Sequence, residues 1–529
     1  MAAPSPPVTR HGYSCRAVGQ TKKQIASHFL RQWKSYRRGK PVTTNVLPFG
    51  PIELTLIAGY LASLIGLGWL GLRARREQSL QDFYLAGRGI GFVVLLLTLY
   101  ATQYSGNTLF AFTGKTYRIG YAWVVCLQFM TAIVVFYLLL APRLQSLSRH
   151  YNFVTPGDYL QHRFGSRVLS VICTLVMVIA LTNFLLAQLK AMGEAMRGFV
   201  PAHPDEAYIW GVVMLAGVIV IYETLGGFRA VAWTDAIQGS VLMVGFTALL
   251  VMVFREFGSL SDATEWLSRE KPEMTAPPTV IGACHWTSWV LLVGIGGALY
   301  PQAIQRIYAA RSAATLRKSL AVMVFLPLAT TLIAVIFGIM AAAHIPNSQA
   351  QADEVLTVVC HQIQQQGMFG RVLVAILFAA VLAALMSTAD SVLLSVSSMV
   401  TKDLYAPLAR GKADERQLMR VGKYCSWFLI ATATILAIRW KDTDLVTLLN
   451  RKFDLLVQLA PAFYLGLHWP QLKLKPTLVG ILVGLAVAVG LTANGHGTVV
   501  GIHAGLWGLL ANAAIAFGGS RLKGPPDPR

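Results

Sequence analysis

Charge is scarce in this chain of 529 residues: Asp, Glu, Lys and Arg make up only 13%, hydrophobic residues 55%, and mean hydropathy is +0.55. That balance excludes a soluble globular enzyme and a disordered protein, and it implies a polytopic membrane protein. Cysteine is sparse as well. Cys15, Cys126, Cys173, Cys284, Cys360 and Cys425 are scattered without a CxxC pair, so neither a metal site nor a disulfide framework follows. His150, His162, His496 and His503 lack ligand spacing, and HExxH, GxSxG and a paired His–Asp set are all missing, which argues against an intramembrane enzyme. Acid is the rarer charge, 24 residues against 45 basic ones, for a net charge of +21. In a soluble protein such an excess would suggest nucleic acid; here the basic residues serve first to orient spans in a lipid bilayer, and no nucleic-acid partner is expected.

Long apolar runs are abundant, and a span needs about 20 such residues. They predict an all-α bundle of about thirteen transmembrane helices, near 52–72, 90–113, 121–142, 168–196, 208–225, 230–254, 286–305, 319–344, 372–401, 418–438, 444–467, 476–493 and 499–519. With these bounds, one set of alternate loops, taken with the C-terminal tail, carries 22 Lys and Arg against 9 in the other. The first set is therefore expected in the cytoplasm, with the C-terminus inside and the N-terminus outside a cell (inner) membrane. Residues 1–50 oppose this rule with nine basic residues, Arg10 to Lys40, and no acid. Two readings stay open: a basic arm that binds anionic lipid or nucleic acid, or a misassigned start with translation beginning near Val46 or Leu47. No apolar signal-peptide core is present.

A helix that only crosses lipid should be apolar throughout, because each unsatisfied polar group there costs several kcal/mol. The second expected span breaks that rule at its centre with Ala101-Thr102-Gln103-Tyr104-Ser105-Gly106-Asn107-Thr108. The seventh does so with Gly294-Ile295-Gly296-Gly297, followed by Tyr300-Pro301-Gln302 and Gln305-Arg306. Five spans separate the two, which is the arrangement expected of an inverted-repeat secondary transporter with repeats near 90–254 and 286–467. The alternative is that small residues merely allow close helix packing.

Three stretches then carry a resemblance. They are Gly226-Gly227-Phe228-Arg229-Ala230-Val231-Ala232-Trp233-Thr234-Asp235-Ala236-Ile237-Gln238; Leu382-Ala383-Ala384-Leu385-Met386-Ser387-Thr388-Ala389-Asp390-Ser391, continuing through Ser397-Ser398 to Lys402-Asp403-Leu404-Tyr405; and Tyr84-Leu85-Ala86-Gly87-Arg88. On these the chain resembles the sodium:solute symporter family of the leucine-transporter fold, over about 50–470. The resemblance implies a core at 51–470, two additional C-terminal helices and a short tail at 471–529, and a sodium ion as co-substrate. It places that ion between the carbonyls of Ala101 and Tyr104, the carbonyl of Ala384, and the hydroxyls of Ser387 and Thr388. A small hard cation wants several oxygens, and a broken helix frees carbonyls to supply them. Without the resemblance, adjacent Ser and Thr in an apolar helix would simply bond back one turn. Gln103 stands where some relatives carry Asp or Asn.

Charges inside a membrane are functional candidates. Asp235 would serve the inward exit of the ion, or be a helix-start acid stabilised by the macrodipole. Asp390 would support coupling through a second cation or a proton, or brace Ser391 and Thr388. Arg451, Lys452 and Asp454 either face the cavity, where the cations would attract an organic anion, or are solvated in a vestibule. The expected substrate-binding set is Gln103, Ser105, Asn107, Thr108, Gln128, Tyr300, Gln302 and Gln458. Trp123, Trp286 and Trp469 read as interfacial anchors. The function expected is sodium-coupled symport of a small organic solute, a carboxylate or amino acid. The other reading is a transporter-like nutrient sensor that signals through a separate partner.

Overall fold

The computed structural model describes residues 50–522 except 76, 78, 107, 200–202, 346–354, 365–366, 410–412 and 442–444. Segment 1–49 and the two readings of its basic residues lie outside the described residues. Helices dominate. In chain order they are α1 (Pro51–Arg73), α2 (Leu80–Leu85), α3 (Phe92–Gln103), α4 (Thr113–Ile119), α5 (Val125–Tyr151), α6 (Pro156–Phe164), α7 (Arg167–Phe199), α8 (Pro204–Phe257), α9 (Leu260–Glu270) and α10 (Val280–Ala298). There follow α11 (Pro301–Ala309), α12 (Ala313–Met323), α13 (Leu326–His344), α14 (Val355–Gln364), α15 (Met368–Met399), α16 (Glu415–Arg439), α17 (Leu445–Leu456), α18 (Leu474–Ala493) and α19 (Ala504–Arg521). Among the described residues, nine helical segments are long and apolar enough to cross a bilayer.

The burial pattern sorts these helices. Every residue of α15 from Ala380 to Met399 is buried, and a helix buried all round belongs at the centre of a bundle. α1 instead exposes Ile52, Leu54, Leu56, Ile65, Trp69, Leu70 and Leu72, the apolar face a lipid-facing helix presents. It meets α8 through small residues: a Cβ on Gly68 would fall 2.7 Å from that of Tyr222, and one on Gly71 would fall 3.0 Å from that of Ala230. Such residues let helix backbones approach closely where the hydrophobic effect supplies no attraction. Glu53, fully buried on α1, pairs with Arg371 of α15 at 2.6 Å.

The expected fifth and sixth spans meet within α8 without an intervening loop; its 54 residues would reach about 80 Å if straight, far beyond a hydrocarbon core of about 30 Å, so they must be two helices. Gly227 breaks α8 into two arms with φ 57° and ψ −148°. That region is essentially reserved for glycine, and the backbone packs so closely that an added Cβ would lie 2.6 Å from the carbonyl oxygen of Phe83. Gly227→Ala should therefore cost more than about 3 kcal/mol of stability. The expected result is a fluorescence size-exclusion profile that collapses to aggregate, against an intact peak for Ala at the open position Gly217. A departure from the expected elements is at the last helix, which begins at Ala504 and not near 499. Thr498–Val499 (β1) and Ile502–His503 (β2) instead form a small antiparallel hairpin, turned by Gly501 at φ 76°.

Candidate functional site

Both mid-span interruptions are real breaks in the helices. α3 ends at Gln103; Tyr104 takes an extended conformation (φ −100°, ψ 97°), and the chain resumes helical form in a wide turn at Thr108–Phe112 that leads into α4. Gly106 is required there because a Cβ would fall 2.2 Å from the Leu385 side chain of α15. α10 ends at Ala298, and after Leu299 and Tyr300 the chain restarts as α11 at Pro301. Proline suits a first helical position, where its missing N–H would have had no partner.

Tyr137 of α5 ties the breaks together. Its hydroxyl donates to the carbonyl oxygen of Gly297 at 3.1 Å and accepts a hydrogen bond from Gln103 Nε2. Gln302, two residues beyond the second break, is fully buried with neither atom of its amide paired, and Gln103 Oε1 is unpaired as well. A buried amide left unpaired costs about 1–3 kcal/mol, so these atoms are free to bond a group that enters between the breaks. Tyr137 went unnoticed in the sequence because a tyrosine in an apolar run carries no signal of its own.

Four of the five oxygens assigned to sodium converge. Ser387 Oγ lies 3.1 Å from the carbonyl oxygen of Ala101, at the frayed end of α3, and 3.2 Å from that of Ala384. Thr388 Oγ1 donates to the same Ala384 carbonyl at 3.1 Å. The hydroxyls thus make the ordinary bonds back along α15, and Ser387 also reaches across to the broken helix. Tyr104 is buried with its ring against that of Tyr100, and no hydrogen bond joins it to these four oxygens among the described residues.

Beneath lies a buried charge cluster. Arg306 of α11, fully buried, donates to Asp235 Oδ2 of α8 at 2.7 Å, to Thr98 Oγ1 of α3 at 2.7 Å, to the Gln302 carbonyl at 2.9 Å and to Ser391 Oγ of α15. Thr98 in turn donates to Asp235. Ser391 donates to the Ser387 carbonyl at 2.6 Å, which connects the cluster to the oxygens above. Asp235 is accordingly held by the Arg306 guanidinium, and the helix macrodipole is not needed to account for it. Asp390 accepts from Tyr222 of α8 at 2.5 Å and sits beside Ser391, but no bond links it to Thr388. Arg306, named with Gln305 in the polar stretch that follows the seventh-span interruption, is thus a buried member of this cluster and not one of the loop charges that set orientation.

The three charges on α17 separate by helical phase. Arg451 and Asp454, three residues apart, line a vestibule of about 840 Å³ with Lys115, Glu273, His285 and Trp289. Asp454 accepts the Gly505 N–H at 2.9 Å. Lys452 points elsewhere and is buried among the rings of Phe184, Tyr300 and Phe453. Trp123 and Trp286 both line this vestibule, Trp123 buried and packed edge-on against Trp289 at 5.5 Å.

The remaining expected substrate residues divide. Ser105 and Tyr300 are buried at the breaks. Asn107 and the side chain of Thr108 lie outside the described residues. Gln128 is exposed on the face of α5 that carries Val135, Leu138 and Leu139, two and three turns further on, and so points away from the breaks. Gln458 is buried but turned toward α19: its Nε2 donates to the Gly505 carbonyl at 2.8 Å, and its own carbonyl accepts from Asn512 at 2.7 Å. It ties helices together. For both amides the sequence showed the residue type but not the helix face.

Comparison with known proteins bears on the same region. The model of the sodium:solute symporter family matches residues 83–484. Among curated proteins, the chain is 25% identical to the osmoregulated proline transporter OpuE of Bacillus subtilis (strain 168), covering 85% of this chain and 91% of that one. It is 27% identical to the sodium/pantothenate symporter of Escherichia coli (strain K12), covering 89% and 96%. Among solved structures, the substrate-bound outward-open state of a Na+-coupled sialic acid symporter superposes with a TM-score of 0.76 at 18% identity, covering 90% of this chain and 99% of that one.

Proposed function

The chain belongs to the sodium:solute symporter family, and from that premise we propose that it moves a small organic solute, a carboxylate or an amino acid, with sodium across the cytoplasmic membrane by alternating access. It is a multi-pass membrane carrier and not an enzyme. The observation that carries the reading is the pair of breaks joined through Tyr137, with the oxygens of Ala101, Ala384, Ser387 and Thr388 gathered beside the first of them. In this reading thirteen spans cross the membrane, two inverted repeats of five helices supply one break each, and the C-terminus lies inside. Sodium, a co-substrate, takes the Ala101, Tyr104, Ala384, Ser387 and Thr388 oxygens. Gln103, Ser105, Tyr300 and Gln302 receive the solute. The relatives named for proline and for pantothenate support this class, since both compounds carry a carboxylate.

Coupling requires that sodium bind one conformation better than the other. One sodium entering down about 100 mV releases about 2.3 kcal/mol, and a tenfold gradient adds about 1.4 kcal/mol. The sum sustains accumulation of a zwitterionic amino acid by roughly 500-fold. A simple carboxylate would cancel the sodium charge and draw only on the gradient. Proteoliposomes holding the full chain, challenged with labelled amino acids, short hydroxy acids and pantothenate, provide the test. Uptake of at least one should rise more than tenfold with an inward sodium gradient and respond to potential only if the solute is a zwitterion. Uptake indifferent to sodium across the panel overturns the reading.

A further inference from the structure

Lys452 is only 2% exposed. Its Nζ lies 3.1 Å from the ring centroid of Phe184, 5.1 Å from that of Tyr300 and 4.8 Å from that of Phe453. The rings form one wall, Phe184 stacked on Tyr300 at 5.7 Å and 13°, and Tyr300 on Phe453 at 5.7 Å and 29°. Among the described residues no carboxylate lies within ion-pair distance of it. The nearest acid in sequence, Asp454, is two residues on, on another face of α17, where the Gly505 N–H holds it.

Aromatic faces attract a cation without neutralising it. A desolvated cation–π contact is worth about 2 kcal/mol, whereas burying an ammonium costs several kcal/mol. The amine without a counter-ion is also placed with purpose. Tyr300 is the residue from which α11 restarts, so the ammonium stands against the second break, two residues from the unpaired amide of Gln302. Phe453 packs on the other side of that break, where a Cβ on Gly296 would come within 3.0 Å of its ring. An amine buried without a counter-ion, held beside a backbone interruption and an unpaired amide, is stabilised as an ammonium when an anion arrives to pair with it. We propose that the Lys452 ammonium, held by the Phe184, Tyr300 and Phe453 rings, anchors the carboxylate of the transported solute. The inference rests on reading the chain as a solute carrier and adds the group that selects the solute. Arg451, exposed in the vestibule at the next position, would draw the same anions inward.

The purified full chain is compared in thermal-shift titrations with matched pairs: L-proline and L-prolinamide, lactate and lactamide, pantothenate and its primary amide. At least one carboxylate should bind the unaltered protein ten times or more tightly than its amide. Lys452→Met, which keeps an unbranched apolar chain among the rings, should remove that preference, weakening the carboxylate by the same factor of ten or more while leaving amide binding alone. Lys452→Arg should retain the preference and so separates loss of charge from loss of fold. A carboxylate preference that survives in Lys452→Met, or its absence in the unaltered protein, overturns the proposal. The shift produced by sodium alone is a separate readout: its absence in the unaltered protein would count against sodium symport, and its persistence in Lys452→Met would leave that reading standing whatever becomes of the carboxylate.

Discussion

Thr388→Ala should leave a folded carrier whose uptake no longer rises with sodium over the range that activates the unaltered protein. The hydroxyl makes one bond in the structure, to the Ala384 carbonyl four residues back at 3.1 Å. Its loss costs at most about 1 kcal/mol, partly offset by the better helix propensity of alanine. Stability should therefore barely change. A bond to a full charge is worth about 1.5–3 kcal/mol, or roughly 10- to 150-fold in apparent sodium affinity. Ser387→Ala should act similarly and in addition free the Ala101 carbonyl, since that hydroxyl spans α15 and the broken α3. Thr388→Ser retains the oxygen and should retain activation. The measurement is initial uptake rate against sodium concentration in proteoliposomes. An unchanged half-activating concentration in Thr388→Ala would remove this residue from the ion site.

Much of the fold was legible because membrane helices announce themselves by length and apolarity, and because a polar run in such a helix has few innocent explanations. The breaks at Gln103 to Gly106 and at Tyr300-Pro301 are legible in the residues themselves, whereas the pairing of α3 with α15 through Ser387 is implied only by the family resemblance. What sequence could not give was rotation about a helix axis within a bundle where every face is apolar. Gln128 and Gln458 are the right residue type on the wrong face. Lys452 and Asp454 looked like one charged group and are two, because residues two apart on a helix point about 200° from each other. Tyr137 shows the same limit in reverse: only the third dimension places its hydroxyl between two breaks more than 190 residues apart in sequence. The bend at Gly227 was written in the Gly226-Gly227 pair, but whether it joins two helices or interrupts one depends on the packing of Phe83 against it.

Replacing either member of the Asp235–Arg306 pair should be among the most damaging changes to this protein, and replacing both should be milder than either alone. The side chains are 0% and 1% exposed. Breaking a buried pair strands a charge at a cost of about 3–5 kcal/mol, whereas substituting well-packed apolar groups for both is often nearly neutral. Arg306→Met should thus lower the thermal midpoint of the purified protein sharply, because Asp235 then retains only the Thr98 hydroxyl. Asp235→Leu leaves the guanidinium with Thr98, Ser391 and the Gln302 carbonyl, three acceptors that carry no charge, and should be equally poor. The double variant should recover at least half of either loss, a coupling of about 2 kcal/mol or more. Transport, however, should not recover with it. Ser391 joins the pair to the carbonyl of Ser387 at 2.6 Å, and without Arg306 that hydroxyl is free to turn, loosening the turn of α15 that carries Ser387 and Thr388. A double variant that is stable yet needs markedly more sodium for half-maximal uptake would assign the pair to holding the ion site in shape; one that regains normal sodium activation along with its stability would reduce it to a structural brace.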